Sequence, residues 1–190
     1  MEKKVITIVS GLPRSGTSMM MRMLEAGGMT LLTDNIRKAD EDNPRGYYEF
    51  ERVKQLEQDT SWLEVARGKA LKAILALLKH LPPEYAYKVI VMRRKMEEIL
   101  ASQRQMLLRR GEPVDTISDK RMADLFRGHV SQVEAWLAGQ PNMEVLYVSY
   151  EAVLDDPLGH ARRIDQFLGR RLDVEQMARV VDKTLHRQRY

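Results

Sequence analysis

Residues 11–18 of the sequence, GLPRSGTS, have the composition of a loop that binds a phosphate or sulfate group. The glycines let backbone N–H groups approach an anion closely, and a helix starting behind the loop would add unpaired donors and a positive dipole end. Further donors come from the side chains of Arg14, Ser15, Thr17 and Ser18. The loop has the outline of a nucleotide-binding P-loop, but Thr17 replaces the usual lysine and Arg14 stands earlier in the loop.

A second set of anion-binding side chains stands in the middle of the chain. Arg93 and Arg94 follow an apolar, β-branched run that predicts a buried strand, so the two arginines stand where that strand ends.

The missing lysine argues against triphosphate chemistry. In nucleoside triphosphatases the loop lysine reaches the β and γ phosphates, and a carboxylate on a second strand helps to hold Mg²⁺. The other predicted strands lead to Arg93-Arg94 and to Ser149-Tyr150, and neither pair is a carboxylate. We therefore expect no metal at this site.

The elements that position these residues are predicted from apolar patterns. Continuous β-branched runs indicate buried strands, and apolar residues at i, i+3 and i+4 indicate helices. Thr17 or Ser18 is expected to cap the first helix, a helix is predicted over residues 48–58, and residues 69–80 fit either a strand and helix or one helix. The strands are predicted at 5–9, 88–92 and 144–148, and the other helices at 17–26, 96–109, 119–137 and 157–168.

Strands that alternate with helices predict an α/β fold with a central, mainly parallel sheet and helices on both faces. Ligands bind such sheets at the carboxyl ends of the strands. Two of the three predicted strand ends carry the glycine loop and the Arg93-Arg94 pair. We therefore expect both at one ligand-binding edge.

The composition sets the broad class of the protein. The chain has 190 residues, a formal net charge of +4 from 31 Lys and Arg against 27 Asp and Glu, and no cysteine. We expect a single domain over residues 1–190, without a membrane span. The lack of cysteine excludes disulfides and thiolate sites and fits a cytoplasmic location. Acidic residues interleave with basic ones and aromatic residues make up 6%, so nucleic acid is not expected as a partner.

Three motifs resemble those of sulfotransferases that use 3′-phosphoadenosine 5′-phosphosulfate (PAPS). The segment PRSGTS is similar to the 5′-phosphosulfate loop of that family. Arg94 and Ser102, eight residues apart, match the family's strand-ending arginine and helix serine, which bind the 3′-phosphate, with Arg93 as the alternative to Arg94. Ser102 would lie roughly two turns along the helix, from where it could fold back toward the same anion. YEAVLDDP resembles a third family segment, in which Tyr150 would contact adenine or else pack under the sheet edge. The arginine form of the loop looks like that of protein-tyrosine sulfotransferases and of a small bacterial group with DNPRGYYE. The chain departs from the tyrosine-sulfating branch at Met106, where that branch has arginine.

The resemblance implies a P-loop NTPase-like, three-layer fold and a metal-free transfer of the sulfuryl group of PAPS to a hydroxyl or amine. Arg14 would supply the cation that the missing lysine supplies elsewhere, gripping the 5′-phosphate and the sulfuryl oxygens. The implied nucleotide-binding residues are Arg14, Ser15, Gly16, Thr17, Ser18, Arg94, Ser102 and Tyr150.

The catalytic residues are less constrained by the motifs. Family members carry a lysine upstream of the 3′-phosphate strand that supports the leaving oxygen, and Lys72 is the first choice for it and Lys69 the second. Arg14 would share this task. Glu49 is the candidate base, because it follows the rigid 43–46 turn and two tyrosines that could wall a cleft. The alternatives for the base are Glu51, Asp34 and the four histidines, and the C-terminal Arg187 and Arg189 could add to the 3′-phosphate site.

Two other functions stay open at the level of sequence. One is a P-loop nucleotide kinase-like phosphotransferase, which would need Mg²⁺ and ATP. The other is a nucleotide-binding protein without turnover. The sequence does not define the acceptor, and its Met-rich helices could serve the face of a homodimer as well as a core.

Overall fold

The computed structural model describes residues 5–34, 36–114, 117–169 and 172–185. Within these residues four parallel strands form one sheet in the order β2-β1-β3-β4. The strands are β1 (Ile6–Gly11), β2 (Ala70–Lys72), β3 (Tyr87–Arg93) and β4 (Met143–Ser149). Because all four run in the same direction, their carboxyl ends meet at one edge of the sheet.

Six α-helices accompany the strands in the described part of the chain. They are α1 (Thr17–Ala26), α2 (Met96–Arg109), α3 (Asp119–Ala138), α4 (Tyr150–Asp155), α5 (Pro157–Leu168) and α6 (Val174–Arg179). Short 3₁₀ helices cover Glu51–Gln55, Ser61–Ala66, Leu75–His80 and Lys183–Leu185. The strands and helices predicted at 5–9, 88–92, 144–148, 17–26, 96–109, 119–137 and 157–168 are confirmed to within one or two residues.

The sheet has a hydrophobic core on each face. Along β3, Val89 and Val91 belong to one core while Ile90 and Met92 belong to the other, as the alternation of side chains along a strand requires. Residues of α2 and α3 pack into the first core, and residues of α1, α4, α5 and α6 into the second. The predicted α/β class with a central parallel sheet and helices on both faces is confirmed.

The structure corrects the prediction for residues 48–58. Tyr48 has a left-handed φ of 55°, which a helix cannot include, and only Glu51–Gln55 forms a 3₁₀ helix. Phe50 and Val53 are three residues apart, a spacing that puts side chains on one side of a 3₁₀ turn as well as of an α-helix. Phe50 packs edge-on against Trp62, with ring centroids 5.2 Å apart, so tertiary contacts fix this segment.

Residues 69–80, for which the sequence left two predictions open, form strand β2 and a 3₁₀ helix. Strand β2 has only three residues, and it pairs with Thr7, Ile8 and Val9 of β1. The methionines of α1, including Met20 and Met21, are buried in the core of the described chain rather than exposed on a surface. No helix in the described ranges is long and apolar enough to cross a membrane.

Candidate active site

A cavity of about 580 Å³ opens at the carboxyl edge of the sheet. The glycine loop after β1 lines it, together with the last residue of β2, the residue after β3 and the first residue of α4. These positions bring Arg14, Lys72, Arg94 and Tyr150 into one cavity, as the parallel arrangement of the strands predicts.

The loop turns sharply into α1 at Gly16. This glycine has a left-handed φ of 98° and is the N-cap of α1, so Thr17 and Ser18 are the first helical residues and not the caps that the sequence predicted. The first N–H groups of a helix have no partner within the helix, and here they begin at the loop. A Cβ atom at Gly16 would lie 2.5 Å from the Tyr150 ring, so the close packing of that ring also requires glycine.

Arg14 joins the loop to α2. Its Nε donates to Ser102 Oγ at 2.8 Å and its Nη2 donates to the carbonyl oxygen of Asp42 at 3.1 Å. Burial lowers the pKa of Arg14, and the nearby Asp42 partly opposes that effect. The φ of Arg14 is 71°, an uncommon left-handed conformation for a residue with a side chain. The loop arginine and the predicted 3′-phosphate serine are therefore in direct contact.

Arg94 lies beside them. Its Nε donates to Glu98 Oε2 at 2.9 Å and its Nη1 donates to the carbonyl oxygen of Arg14 at 3.1 Å. The guanidinium lies 4.5 Å from the centre of the Tyr150 ring. The Arg94 and Glu98 side chains are 8% and 1% exposed, so this is a buried ion pair with a fixed orientation.

Arg93 and Arg94 have different surroundings. Arg93 does not line the main cavity, since it pairs with Glu134 at 2.7 Å and lies 3.9 Å from the centre of the Tyr147 ring. Successive side chains at a strand end point to opposite faces of the sheet, which explains the separation. Arg94 alone of the two faces the loop.

Ser15 lies apart from the other side chains of the loop. Its side chain is fully buried, and its Oγ has no hydrogen-bond partner among the described residues. A Cβ atom added to Gly11 would lie 2.4 Å from that oxygen, so the hydroxyl sits beneath Gly11. Ser15 lines a separate cavity of about 360 Å³, which Arg93 and Glu134 also line, and is absent from the walls of the main one.

Lys72 and Glu49 meet at the β2 side of the cavity. The Nζ of Lys72 donates to the carbonyl oxygen of Tyr47 and lies 3.5 Å from Ser18 Oγ and 3.8 Å from Glu49 Oε1. Burial lowers the pKa of Lys72 to about 8, although the neighbouring Glu49 opposes the shift. Glu49 also pairs with Arg37 at 3.0 Å. The two predicted catalytic side chains thus lie next to each other and next to the start of α1.

The alternative catalytic residues are not placed in the cavity. Lys69 does not line it. Neither Glu51 nor Asp34 lines it. Glu51 pairs with Lys54 at 2.8 Å, and Asp34 accepts a hydrogen bond from the N–H of Ile36 at 3.0 Å. His80, His129 and His160 do not line it either. His186, Arg187 and Arg189 lie outside the described residues.

The sequence predictions missed several side chains at this site. The carboxylate of Asp42 is 7% exposed and accepts from Nη1 of Arg109 at 2.6 Å, and Asn43 Nδ2 donates to Ser18 Oγ at 2.8 Å. The turn that contains both residues therefore lies against the glycine loop. The DNPRG sequence predicted the turn, but nothing in it predicted these contacts.

Arg22 is a further missed cation. It lines the cavity from α1, one turn after Ser18, and its Nη2 donates to the Val180 carbonyl oxygen at 2.7 Å. Its Nε is buried without a hydrogen-bond partner within the described residues, and burial lowers the pKa of its guanidinium. The only signal for this residue in the sequence is its i+4 spacing from Ser18.

The side chains at the cavity favour an anion with several charges. Cationic side chains outnumber carboxylates there: Arg14, Arg22, Arg37, Lys54, Lys72, Arg94, Arg109 and Arg110 face Asp42, Glu49 and Asp182. Such a site attracts a polyanion and holds it by charge-assisted hydrogen bonds. In the described ranges, no group of three or more His, Asp or Glu side chains is arranged to hold a metal ion.

Comparison with known proteins identifies a family that the chain matches. The sequence profile of the family described as "Sulfotransferase domain" matches residues 5–188. Among curated proteins, no sequence gives a significant match.

Solved structures share the fold at low sequence identity. Sulfotransferase STF1 from Mycobacterium tuberculosis is 18% identical with a TM-score of 0.63, over 93% of this chain and 71% of that one. The sulfotransferase domain of the Synechococcus olefin synthase is 16% identical with a TM-score of 0.59, over 98% and 82%. Mouse sulfotransferase SULT7A1, in complex with PAP (3′-phosphoadenosine 5′-phosphate), is 20% identical with a TM-score of 0.56, over 95% of this chain and 63% of that one. These matches confirm the three-layer fold that the loop motif implied.

Proposed function

This chain belongs to the sulfotransferase domain family, and we propose how its cavity carries out the transfer of a sulfuryl group from PAPS that this membership assigns to it. One observation carries the proposal. Arg14 of the loop donates a hydrogen bond to Ser102, and Arg94 donates one to the carbonyl oxygen of Arg14. The two predicted anion sites therefore share one cavity. A single nucleotide with phosphates on the 5′ and 3′ positions of its ribose would therefore reach both.

The order of the strands supports one direction for the bound nucleotide. Tyr150 follows β4 and Lys72 ends β2, so the ends of their strands are three strand spacings apart, or roughly 14 Å. Arg14 and Arg94 come from the strands between them. The 5′-phosphosulfate would lie on the loop with its sulfur toward Lys72, the 3′-phosphate at Arg94 and Ser102, and the adenosine toward β4.

The residues at the β2 side supply what sulfuryl transfer needs. The acceptor oxygen forms a bond to sulfur while the bond between sulfur and the bridging phosphate oxygen breaks, and PAP leaves. Lys72, with Arg14, would stabilise the charge that develops on the bridging oxygen. Glu49 would take the proton of the acceptor, with its carboxylate held by Arg37 at 3.0 Å.

Several further assignments are part of the same proposal. Tyr150 is 6% exposed and packs on Gly16 and Arg94, so its main role would be to hold Arg94, and its contact with adenine stays a prediction. The single domain over residues 1–190 and the bacterial origin also stay predictions. A cytoplasmic location is proposed as well, which the absence of cysteine fits.

Calorimetry with PAP and with ATP and Mg²⁺ tests the proposal. We expect the protein to bind PAP, and Arg14→Ala and Arg94→Ala each to weaken binding by roughly 30-fold or more, because a buried, hydrogen-bonded charge is lost. Arg93→Ala is the matched control, since it removes the neighbouring arginine from the other cavity. Transfer of labelled sulfate from PAPS should be lost in Arg14→Ala.

Two results would overturn the proposal. Tight binding of ATP with Mg²⁺ and none of PAP would favour the kinase-like alternative. An equal loss of PAP affinity in Arg93→Ala and Arg94→Ala would show that the assignment of the 3′-phosphate site is wrong.

A further inference from the structure

The cavity continues past the catalytic pair along an apolar surface. Five residues form this surface, which we call the apolar wall: Phe50, Val53, Ala73, Ile74 and Leu77. The same segments that carry the catalytic candidates supply it, because Phe50 directly follows Glu49 and Ala73 directly follows Lys72. The apolar wall therefore begins at the reacting end of the cavity.

Part of the apolar wall is buried in the protein, and part of it is exposed to the cavity. Val53 and Ala73 are buried, and the Phe50 ring is held edge-on by Trp62. Ile74 is 50% exposed, although a large β-branched side chain at the end of a parallel strand is normally covered. Its exposed surface lines the cavity, where a bound apolar group would cover it.

Five backbone groups of the apolar wall are hydrogen-bonded within the protein. The carbonyl oxygen of Phe50 accepts from the Val53 N–H at 3.0 Å, and that of Ile74 accepts from the Leu77 N–H at 3.0 Å. The N–H of Ala73 donates to Val9 at 3.0 Å. The five side chains of the apolar wall have no hydrogen-bonding group, so a sugar hydroxyl buried against them would lose its partners, at a cost of about 1–3 kcal/mol.

We propose that the acceptor is a small molecule that carries its reactive hydroxyl on a predominantly apolar body, such as a phenol or a hydrocarbon alcohol. The apolar wall binds that body and directs the hydroxyl to Glu49 and Lys72. The inference rests on the proposed function, because it assigns the acceptor of the same transfer. The acceptor oxygen bonds to sulfur, its proton passes to Glu49, and PAP leaves with the electron pair of the broken bond.

The test measures both transfer and binding. The protein is incubated with labelled PAPS and, in parallel, with naphthol, octanol, chitobiose or an acidic peptide that contains tyrosine. We expect sulfated naphthol or octanol, and binding of the same compound to the PAP complex by calorimetry. Ile74→Asp should lower kcat/KM for that compound by at least roughly 10-fold, mainly through KM, because it places a charge in the apolar wall.

Val65→Asp is the matched control. Val65 is another β-branched residue with a similar exposure, 55% against 50% for Ile74, and it lies outside the cavity. We expect this variant to keep the wild-type kcat/KM, and both variants to keep the wild-type affinity for PAP.

The outcomes separate this inference from the proposed function. If PAP binds but only chitobiose or the peptide is sulfated, or if naphthol and octanol neither bind nor react, the assignment of the acceptor is wrong. An equal effect of Ile74→Asp and Val65→Asp on kcat/KM would also overturn it. Failure to bind PAP would instead refute the proposed function.

Discussion

The buried ammonium group of Lys72 predicts an unusual dependence of stability on pH. Burial lowers the pKa of this side chain from the ordinary value of 10.5 to about 8. At 1.36 kcal/mol per pKa unit, the charged form costs the folded state about 3 kcal/mol at neutral pH. Lys72→Met removes that cost, but it also leaves the Tyr47 carbonyl without its donor, at a cost of about 1–3 kcal/mol. The net change at pH 7 is small, so the pH dependence is the informative quantity.

The direction of the pH effect follows from the two pKa values. The folded-state value lies below the unfolded one, so between about pH 8 and pH 10.5 the unfolded chain binds more protons than the folded chain. The stability of the wild type therefore rises with pH in that window, and below it the full cost is present. From pH 7 to pH 9.5 the free energy of unfolding of the wild type should increase by about 2 kcal/mol relative to Lys72→Met.

Urea unfolding at pH 7 and pH 9.5 measures this difference. Lys79→Met is the control, because it makes the same substitution at an exposed lysine of the adjoining 3₁₀ helix. We expect a difference close to zero between the wild type and this control at both pH values. Sulfuryl transfer by Lys72→Met should fall by roughly 10²–10³-fold, as expected for the loss of one group that stabilises transition-state charge. Parallel pH profiles for the wild type and Lys72→Met would refute the assigned burial of the ammonium group.

Two further substitutions test the loop and the turn that lies against it. Gly16→Ala should lower stability and PAP affinity more than Gly28→Ala, because both glycines have φ above 90° but only Gly16 faces the Tyr150 ring. The strain alone should cost about 1–3 kcal/mol in each variant, measured by urea unfolding. Asp42→Asn should tighten PAP binding by roughly tenfold, or about 1.4 kcal/mol, because it removes a buried carboxylate that neutralises a cation of the site. Asp124→Asn, at an exposed carboxylate of α3, should leave that affinity unchanged in calorimetry.

The outcomes that contradict these predictions are distinct. Equal losses in the two glycine variants would show that contact with the ring adds nothing to the requirement at Gly16. Weaker PAP binding by Asp42→Asn would show that the carboxylate positions the site and does not compete with the nucleotide.

The parts of the site that the sequence predicts are those with local causes. The apolar runs that form β1, β3 and β4 are short and rich in β-branched residues, and each strand ends within two residues of the end of its apolar run. Parallel strands expose those ends at one edge, so the glycine loop and Arg94 could be assigned to one site without coordinates. The spacing from Arg94 to Ser102 is likewise a property of a single helix.

The parts that the sequence predicts poorly depend on distant contacts. Three residues suffice for β2 only because they pair with β1, about sixty residues earlier in the chain. The helix predicted at 48–58 fails because Tyr48 is left-handed and Phe50 packs on Trp62. Side-chain direction is also not encoded in a motif, and Ser15 keeps its place in the loop while its hydroxyl turns beneath Gly11.

The same distinction explains why Asp42 escaped prediction. Its backbone carbonyl binds Arg14 and its carboxylate binds Arg109, residues that are 28 and 67 positions away in the chain. A polar residue in a turn is most often solvated, and only the folded structure places this one against the cations.

Arg14 does more than replace the positive charge of the missing lysine, because it also links the loop to α2. Position 17 begins α1, whereas Arg14 stands at the front of the loop and reaches Ser102 on α2 at 2.8 Å. A cation there contacts both predicted anion sites, so we expect an anion bound at one of them to position a group that serves the other. Burial lowers the pKa values of Arg14, Arg22 and Lys72 alike, which means that the fold holds three partly desolvated cations at a free-energy cost. A nucleotide with phosphates on the 5′ and 3′ positions of its ribose would offset that cost only in the folded state, so PAP should raise the free energy of unfolding by RT ln(1 + c/Kd), where c is the concentration of free PAP.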